Sequence, residues 1–331
     1  RSVILSYPKL SHRYYKLKAK WFGVKKLNYW DRNAPLPFES KKEYSWLNAK
    51  NIVLNSYFEF SPVIGNIANK FFENSWIHAP ALKGKSPGAF SASTVPSVHP
   101  YILLNFQGKA RDVATLAHEL GHGVHQYLAA KKNGHFNSST PLTLAETASV
   151  FAEMLVFTKL IENESDNKEK LHLICSKLED IFATVFRQIV MTNFELDVHN
   201  KAKKTGELSS SDLDASWVKA NSKMFGDSIK ISEYYKCWWM YIPHFIHSPF
   251  YCYSYSFGEL LVHGLFAKYN ENKKGFVTKY IDLLSSGSTS SPESLIKKTG
   301  LDITKSDFWE KSMYLMSGLL KEAESIYYKK Q

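Results

Sequence analysis

Between Thr115 and Leu128 the chain reads TLAHELGHGVHQYL, which puts His118, Glu119, His122 and His125 within eight positions. Side chains four apart on a helix stand about 6 Å apart at Cβ, so two imidazoles can converge on one metal ion with nitrogens about 2 Å from it. His118-Glu119-x-x-His122 is therefore a metal-ligand arrangement. Glu119, next to the first histidine, is placed to face the open side of the ion, where a carboxylate takes a proton from a water on the metal. The chemistry is metal-assisted hydrolysis with Glu119 as general base, and zinc is the expected ion. His125 lies about 10 Å of helix rise beyond His118, so a straight helix cannot bring all three histidines to one ion. The extended HExxHxxGxxH pattern needs glycine at 125 and histidine at 128, where this chain has His125 and Leu128. A third ligand must come from elsewhere.

The element that holds these residues is a helix. Asp112 is the expected N-cap, and Val113, Leu116, Leu120, Val124 and Tyr127 recur at three or four residues, committing one face to the core. The histidines occupy another face. Gly121 and Gly123 inside a helix cost up to about 1 kcal/mol each against alanine, which makes sense where another backbone packs closely. A solvent-facing helix with incidental histidines does not explain them. Downstream, STPLTLAETASVFAEMLVF reads as a second helix starting near Thr143, with Glu146 and Glu153 seven apart and nearly on one face. Either reaches the metal. Thr143-x-x-Glu146 also matches a capping box, in which the glutamate only closes the helix start. Against that, Glu146 stands in a run of Leu142, Leu144, Ala145, Ala148, Val150 and Phe151, where an uncompensated carboxylate is expensive and a metal compensates it.

The chain has 331 residues, 44% hydrophobic and 15% aromatic, enough for a substantial core. The fold class expected is mainly α, with a small β-sheet or hairpin before the histidine helix. DRNAPLPFESKKEYSW is a proline-punctuated loop, and the segment after it reads as two helices around a turn at Ser61-Pro62. In GKSPGAFSASTVPSVHPYILLNFQGK, glycine, proline and serine break any helix and YILLNF is a β-prone run. One domain is expected over 1–331: a helical lead-in at 1–80, a small β element at 81–107 and a helical zinc-binding core from 112 onward. No run of about 18 apolar residues and no signal-peptide pattern appears, so no membrane association is expected. The chain begins with Arg1, as a processed or trimmed product does.

Cys175, Cys237 and Cys252 form no CxxC pair and stand in apolar surroundings, the pattern of buried thiols in a reducing compartment. Cytoplasm is the expected location. The formal charge of +11 comes from scattered lysines with no helix-turn-helix, zinc-knuckle or RNP-like pattern, so solvated faces are expected and nucleic acid is not.

Three separated motifs carry a resemblance. HPYILLNFQGKARDVATLAHELGHGVHQYL, PLTLAETASVFAE and IPHFIHSPFYCYSYSFG resemble the oligoendopeptidase F branch of the thimet oligopeptidase-like zinc metallopeptidases, over a stretch from about NYWDRNAPLP to beyond Gly258. The resemblance implies a helical zincin-like catalytic domain that binds one zinc ion per chain and cleaves internal bonds of oligopeptides. It carries over His118, His122 and Glu146 as zinc ligands and Glu119 as base, and it favours Glu146 over Glu153, which is left to orient a ligand. Peptide hydrolysis also needs a donor for the oxyanion. The last motif offers His244, His247, Tyr251, Tyr253 and Tyr255, of which Tyr251 and Tyr255 share a face if the segment is a regular helix. The resemblance points to His244 followed by tyrosines, with Tyr251 and Tyr255 as candidates. GKSPGAFSAS and YILLNF resemble the family's strand region, where an extended substrate adds to a sheet edge. Arg187, mid-helix among apolar residues, is expected to pair with a buried carboxylate in a structural role. Family members also carry a large helical region N-terminal to these motifs, expected to be absent here. The rival readings are a zinc carboxypeptidase of the same architecture and a non-catalytic zinc or peptide-binding fragment.

Overall fold

The computed structural model describes residues 1–38, 40 and 42–328; Glu39, Lys41, 329–331 and the side chain of Leu142 lie outside the described residues, so the proline-punctuated loop is described only in part. By its internal contacts the chain divides into two compact units of interleaved segments. The first comprises Arg1–Ser40, Asn167–Leu260 and Met313–Gln331, the second Lys41–Asp166 and Leu261–Ser312. Helices dominate both, as the periodicity predicts, and no helix among the described residues is long and apolar enough to cross a membrane.

The second unit opens with helices Trp46–Phe60 and Pro62–Glu73. Ser61 joins them in an extended conformation, its hydroxyl facing the Ile64 amide at 3.5 Å, while Pro62 takes the first helical position, where no amide is needed. A three-stranded sheet follows, with Tyr101–Phe106 between a parallel Ile77–Pro80 and an antiparallel Phe90–Ala92. The sheet starts at Ile77, earlier than the β element expected from 81. Only four residues long and ending in proline, that strand has too little alternation to be read from sequence. Ile102 and Leu104 point from the central strand into the core.

The histidine helix spans Ala110–Asn137. Asp112 is not its N-cap: it stands one turn in, its carboxylate accepting from the amides of Lys109 at 2.9 Å and Gln107 at 3.0 Å. Val113, Leu116, Leu120 and Val124 are buried as their spacing predicts, whereas Tyr127 is half-buried and accepts from the Lys70 ammonium at 3.0 Å. The next helix runs Thr147–Glu162 and not from Thr143, because Leu142–Leu144 forms a separate 3-10 turn. Glu146 therefore stands at the N-cap, and the alternative reading of it as the far end of a capping box with Thr143 falls away. Phe151 anchors this helix in an aromatic cluster, with ring centroids 4.4 Å from Tyr280, 5.2 Å from Phe60 and 5.5 Å from Phe266. The Tyr280 hydroxyl adds a bond of 2.9 Å to the Thr147 carbonyl, which satisfies a backbone group beside Glu146.

In the first unit, Asn167–Ile181 runs through a π-helical turn at Phe182–Phe186 into Arg187–Thr205, which packs with Ser210–Phe225. Lys18 is fully buried and donates to Glu179 at 2.7 Å and to the carbonyls of Arg32 and Ala34 at 2.8 Å, pinning the loop after Leu27–Asn28. Leu27–Asn28 pairs in parallel with Ile229–Lys230, a strand inside the stretch expected to be helical. Cys175 and Cys252 are buried thiols, but Cys237 is only half-buried.

Because Phe151 is 1% exposed amid these rings, Phe151→Ala is expected to lower stability by about 3–5 kcal/mol and Phe151→Leu by far less. Urea unfolding followed by circular dichroism measures both; a loss under about 1 kcal/mol for the alanine variant contradicts the anchoring role.

Candidate active site

The metal-site candidates come together within the second unit. His118 Nε2 and His122 Nε2 are 3.1 Å apart, and Glu146 Oε2 lies 3.3 Å from the first and 3.4 Å from the second. A tetrahedral ion with ligand bonds of about 2.0–2.1 Å separates its ligand atoms by about 3.3 Å, so this triangle fits a divalent ion. Among the described residues, His118, His122 and Glu146 are the group of histidine, cysteine or acidic side chains so arranged. His125 is excluded: it is buried, 3.4 Å from the Thr140 hydroxyl, and burial pushes its pKa down to about 3, leaving it neutral.

Gly121 lets the third member approach. A Cβ there would stand 2.6 Å from the Ala148 carbonyl oxygen and 2.8 Å from Ser149 Cα, so the start of the second helix rests directly on the backbone of the first. Gly123 makes similar room for the Phe71 ring, 2.7 Å from a would-be Cβ. Tyr57 ties a neighbouring helix to the same stretch, its hydroxyl donating to the Ala117 carbonyl at 2.7 Å. The expected close backbone is found at Gly121, whereas at Gly123 the neighbours are the side chains of Phe71 and Ile102.

The carboxylates divide the work. Glu153 is 2.5 Å from His118 Nδ1, which fixes the tautomer and turns the Nε2 lone pair toward Glu146 and His122. Burial pulls the His118 pKa down, but the Glu153 hydrogen bond and the surrounding carboxylate charges raise it to about 9. Burial raises the Glu146 carboxyl, yet His122, His118 and the Ser149 hydroxyl at 2.7 Å together bring it down to about 2, keeping it ionised. Sequence reasoning missed Ser149, although its position three residues after Glu146 is the signal for such a bond. Glu119 is 6% exposed, and its Oε2 is enclosed without a hydrogen-bond partner among the described residues. Burial pushes its pKa up and the two histidines pull it back, the environment of a carboxylate poised to take and return a proton.

The other candidates cluster within the first unit. His244 opens the short helix His244–His247, and its Nε2 is 3.2 Å from the Tyr255 hydroxyl. Tyr251 precedes the helix Tyr253–Glu271 and so does not share a helical face with Tyr255. Its ring nevertheless meets Tyr255 edge-on at 5.2 Å and stacks parallel to His244 at 6.2 Å. His247 and Tyr253 are exposed and take no part in these ring contacts. Sequence reasoning also missed Glu195, which is buried and accepts from the Phe250 amide at 2.7 Å, where the backbone turns through φ +59° just before Tyr251. Arg187 bonds the Tyr241 hydroxyl and has no carboxylate within ion-pair distance among the described residues, so the expected buried ion pair is absent.

Residues 6–315 match the family model of Peptidase family M3. The chain belongs to this family. It is 30% identical over 317 residues to Oligopeptidase PepF of Bacillus subtilis, covering 96% of this chain and 47% of that protein. It is 31% identical over 322 residues to an Oligoendopeptidase F homolog of Borreliella burgdorferi, covering 95% and 53%. A solved structure of a Chlamydophila abortus protein matches with a TM-score of 0.88 at 27% identity, over 98% of this chain and 55% of that one. The chain thus spans about half the length of the curated relatives it matches. Membership of family M3 implies a metal cofactor, and the His118–His122–Glu146 triangle offers the donors for one.

Titration with zinc is expected to give one ion per chain. Glu153→Gln should weaken binding by about 10–100-fold by loosening His118. Glu146→Gln should weaken it further; a glutamine variant at 146 that is folded by circular dichroism and binds as tightly as the parent rules Glu146 out as the third ligand.

Proposed function

We propose that the chain is the catalytic domain of a zinc endopeptidase acting on oligopeptides, with His118, His122 and Glu146 holding the ion. The observation that carries this reading is Glu119, a nearly buried carboxylate with one oxygen unpartnered, one residue from the His118–His122–Glu146 triangle. A structural zinc site is closed by four protein ligands and has no use for such a base.

Zinc, when bound, supplies a Lewis acid that polarises the scissile carbonyl and makes a water more acidic. Glu119 accepts the proton of the attacking water and returns it to the departing amine, while Glu153 keeps His118 in the tautomer the site requires. His244 and the Tyr255 and Tyr251 hydroxyls are the donors proposed for the oxyanion of the tetrahedral intermediate. Strand Phe90–Ala92, at an edge of the three-stranded sheet, suits an extended substrate that adds by main-chain hydrogen bonds, which makes binding tolerant of sequence. Cleavage of internal bonds follows the names of the relatives; free thiols at Cys175, Cys237 and Cys252 suit action in the cytoplasm.

The test is cleavage of an internally quenched peptide blocked at both ends. Glu119→Gln should retain zinc and lose about 10²–10⁴-fold in rate. Tyr255→Phe should lower kcat with little change in KM, as expected for a bond made mainly in the transition state. Zinc bound in full with no cleavage by the parent would refute the catalytic reading, and cleavage only of peptides with a free C-terminus would replace it by a carboxypeptidase.

A further inference from the structure

A recess of about 320 Å³, counting the open solvent at its mouth, lies wholly within the first unit and is lined by Tyr15, Arg32, Asn33, Glu179, Arg187 and Met224 among others. Its charges do not balance. Arg32 is 7% exposed and always charged, yet its described partners are all neutral. Its Nε donates to Asn33 Oδ1 and its Nη1 to the Tyr235 hydroxyl, each at 3.3 Å, and its face lies 5.6 Å from the Phe225 ring. The Tyr235 hydroxyl in turn donates to Asn221 at 2.9 Å, so it remains a neutral phenol. Arg187 opens onto the same recess with the Tyr241 hydroxyl as its partner.

The one carboxylate of the lining, Glu179, is already used: its Oε1 accepts from the buried Lys18 at 2.7 Å and from the Tyr14 hydroxyl at 2.6 Å. Lys18, Arg32 and Arg187 against Glu179 give three positive charges to one negative around this recess. A buried guanidinium without a counter-charge is costly, and buried charges are in general paired. Arg32 has three further N–H groups and Arg187 the same donor fork, a match for a small planar or spherical anion.

We infer that this recess binds a singly charged anion, held between the guanidinium groups of Arg32 and Arg187. The chemistry is shared by a halide from solution and by the carboxylate of a peptide or metabolite. This site is argued independently of the peptidase reading and stands or falls without it.

Thermal unfolding of the full chain in a zwitterionic buffer tests it, with sodium chloride added stepwise up to about 100 mM and sodium sulfate at matched ionic strength as the control for screening. A parallel series adds N-acetylglycine or its neutral amide. An occupied site is expected to raise the midpoint by about 2–5 °C. A rise with chloride that is lost in Arg32→Gln identifies a halide; a rise with N-acetylglycine but not its amide, again lost in Arg32→Gln, identifies a carboxylate. Arg187→Gln, at a more exposed position, gives the same readout if Arg32→Gln does not fold. No rise with either anion, or a rise of equal size in the variants, would overturn the proposal.

Discussion

The close approach of two backbones at Gly121 is the constraint on which the metal centre depends. Histidines four apart on a helix offer two nitrogens by local geometry alone, but a third ligand must be brought by another element. Here the segment Glu146–Ser149 is pressed onto the histidine helix so tightly that no Cβ fits between. The aromatic cluster around Phe151 and the Tyr280–Thr147 hydrogen bond hold that segment from behind. The free energy of core packing is thus spent where it determines ligand spacing to a few tenths of an ångström.

The same region shows how a protein keeps three carboxylates close together without a net liability. Glu146 faces both imidazoles and a hydroxyl, Glu153 takes the far nitrogen of one imidazole, and Glu119 is enclosed. Each environment sets a different protonation behaviour: Glu146 is held ionised, whereas burial raises Glu119. Environments that push like groups apart are how acid, base and ligand are assigned from one residue type. The recess around Arg32 is the opposite case, with cations gathered and their counter-charge not supplied by the described residues.

The local part of this arrangement was legible in the sequence. The His118–Glu119–His122 spacing, the exclusion of His125, the two packing glycines and the turn at Ser61-Pro62 all follow from helix geometry and backbone sterics. The residues left Glu146 and Glu153 open as alternatives; in the structure both touch His118, from opposite nitrogens, a division that depends on side-chain direction and not on spacing. The start of the glutamate helix was misplaced because Thr143 has the right chemistry for a cap, while Leu142–Leu144 forms a separate 3-10 turn and the helix begins at Thr147. Ser149 was marked only by its position three residues after Glu146, and Glu195 and the Arg32–Arg187 recess were not legible. The recess is assembled from residues that lie far apart along the chain, and no local period marks them.

The most direct test of the Gly121 constraint is zinc affinity in Gly121→Ala beside a control glycine in a helix, Gly318→Ala, where a Cβ meets nothing within 4 Å. With both variants folded by circular dichroism, Gly121→Ala should lose at least about 10-fold in zinc affinity by displacing Glu146, and Gly318→Ala should bind as the parent does. Unchanged affinity in folded Gly121→Ala would contradict the claim that this backbone contact sets the site.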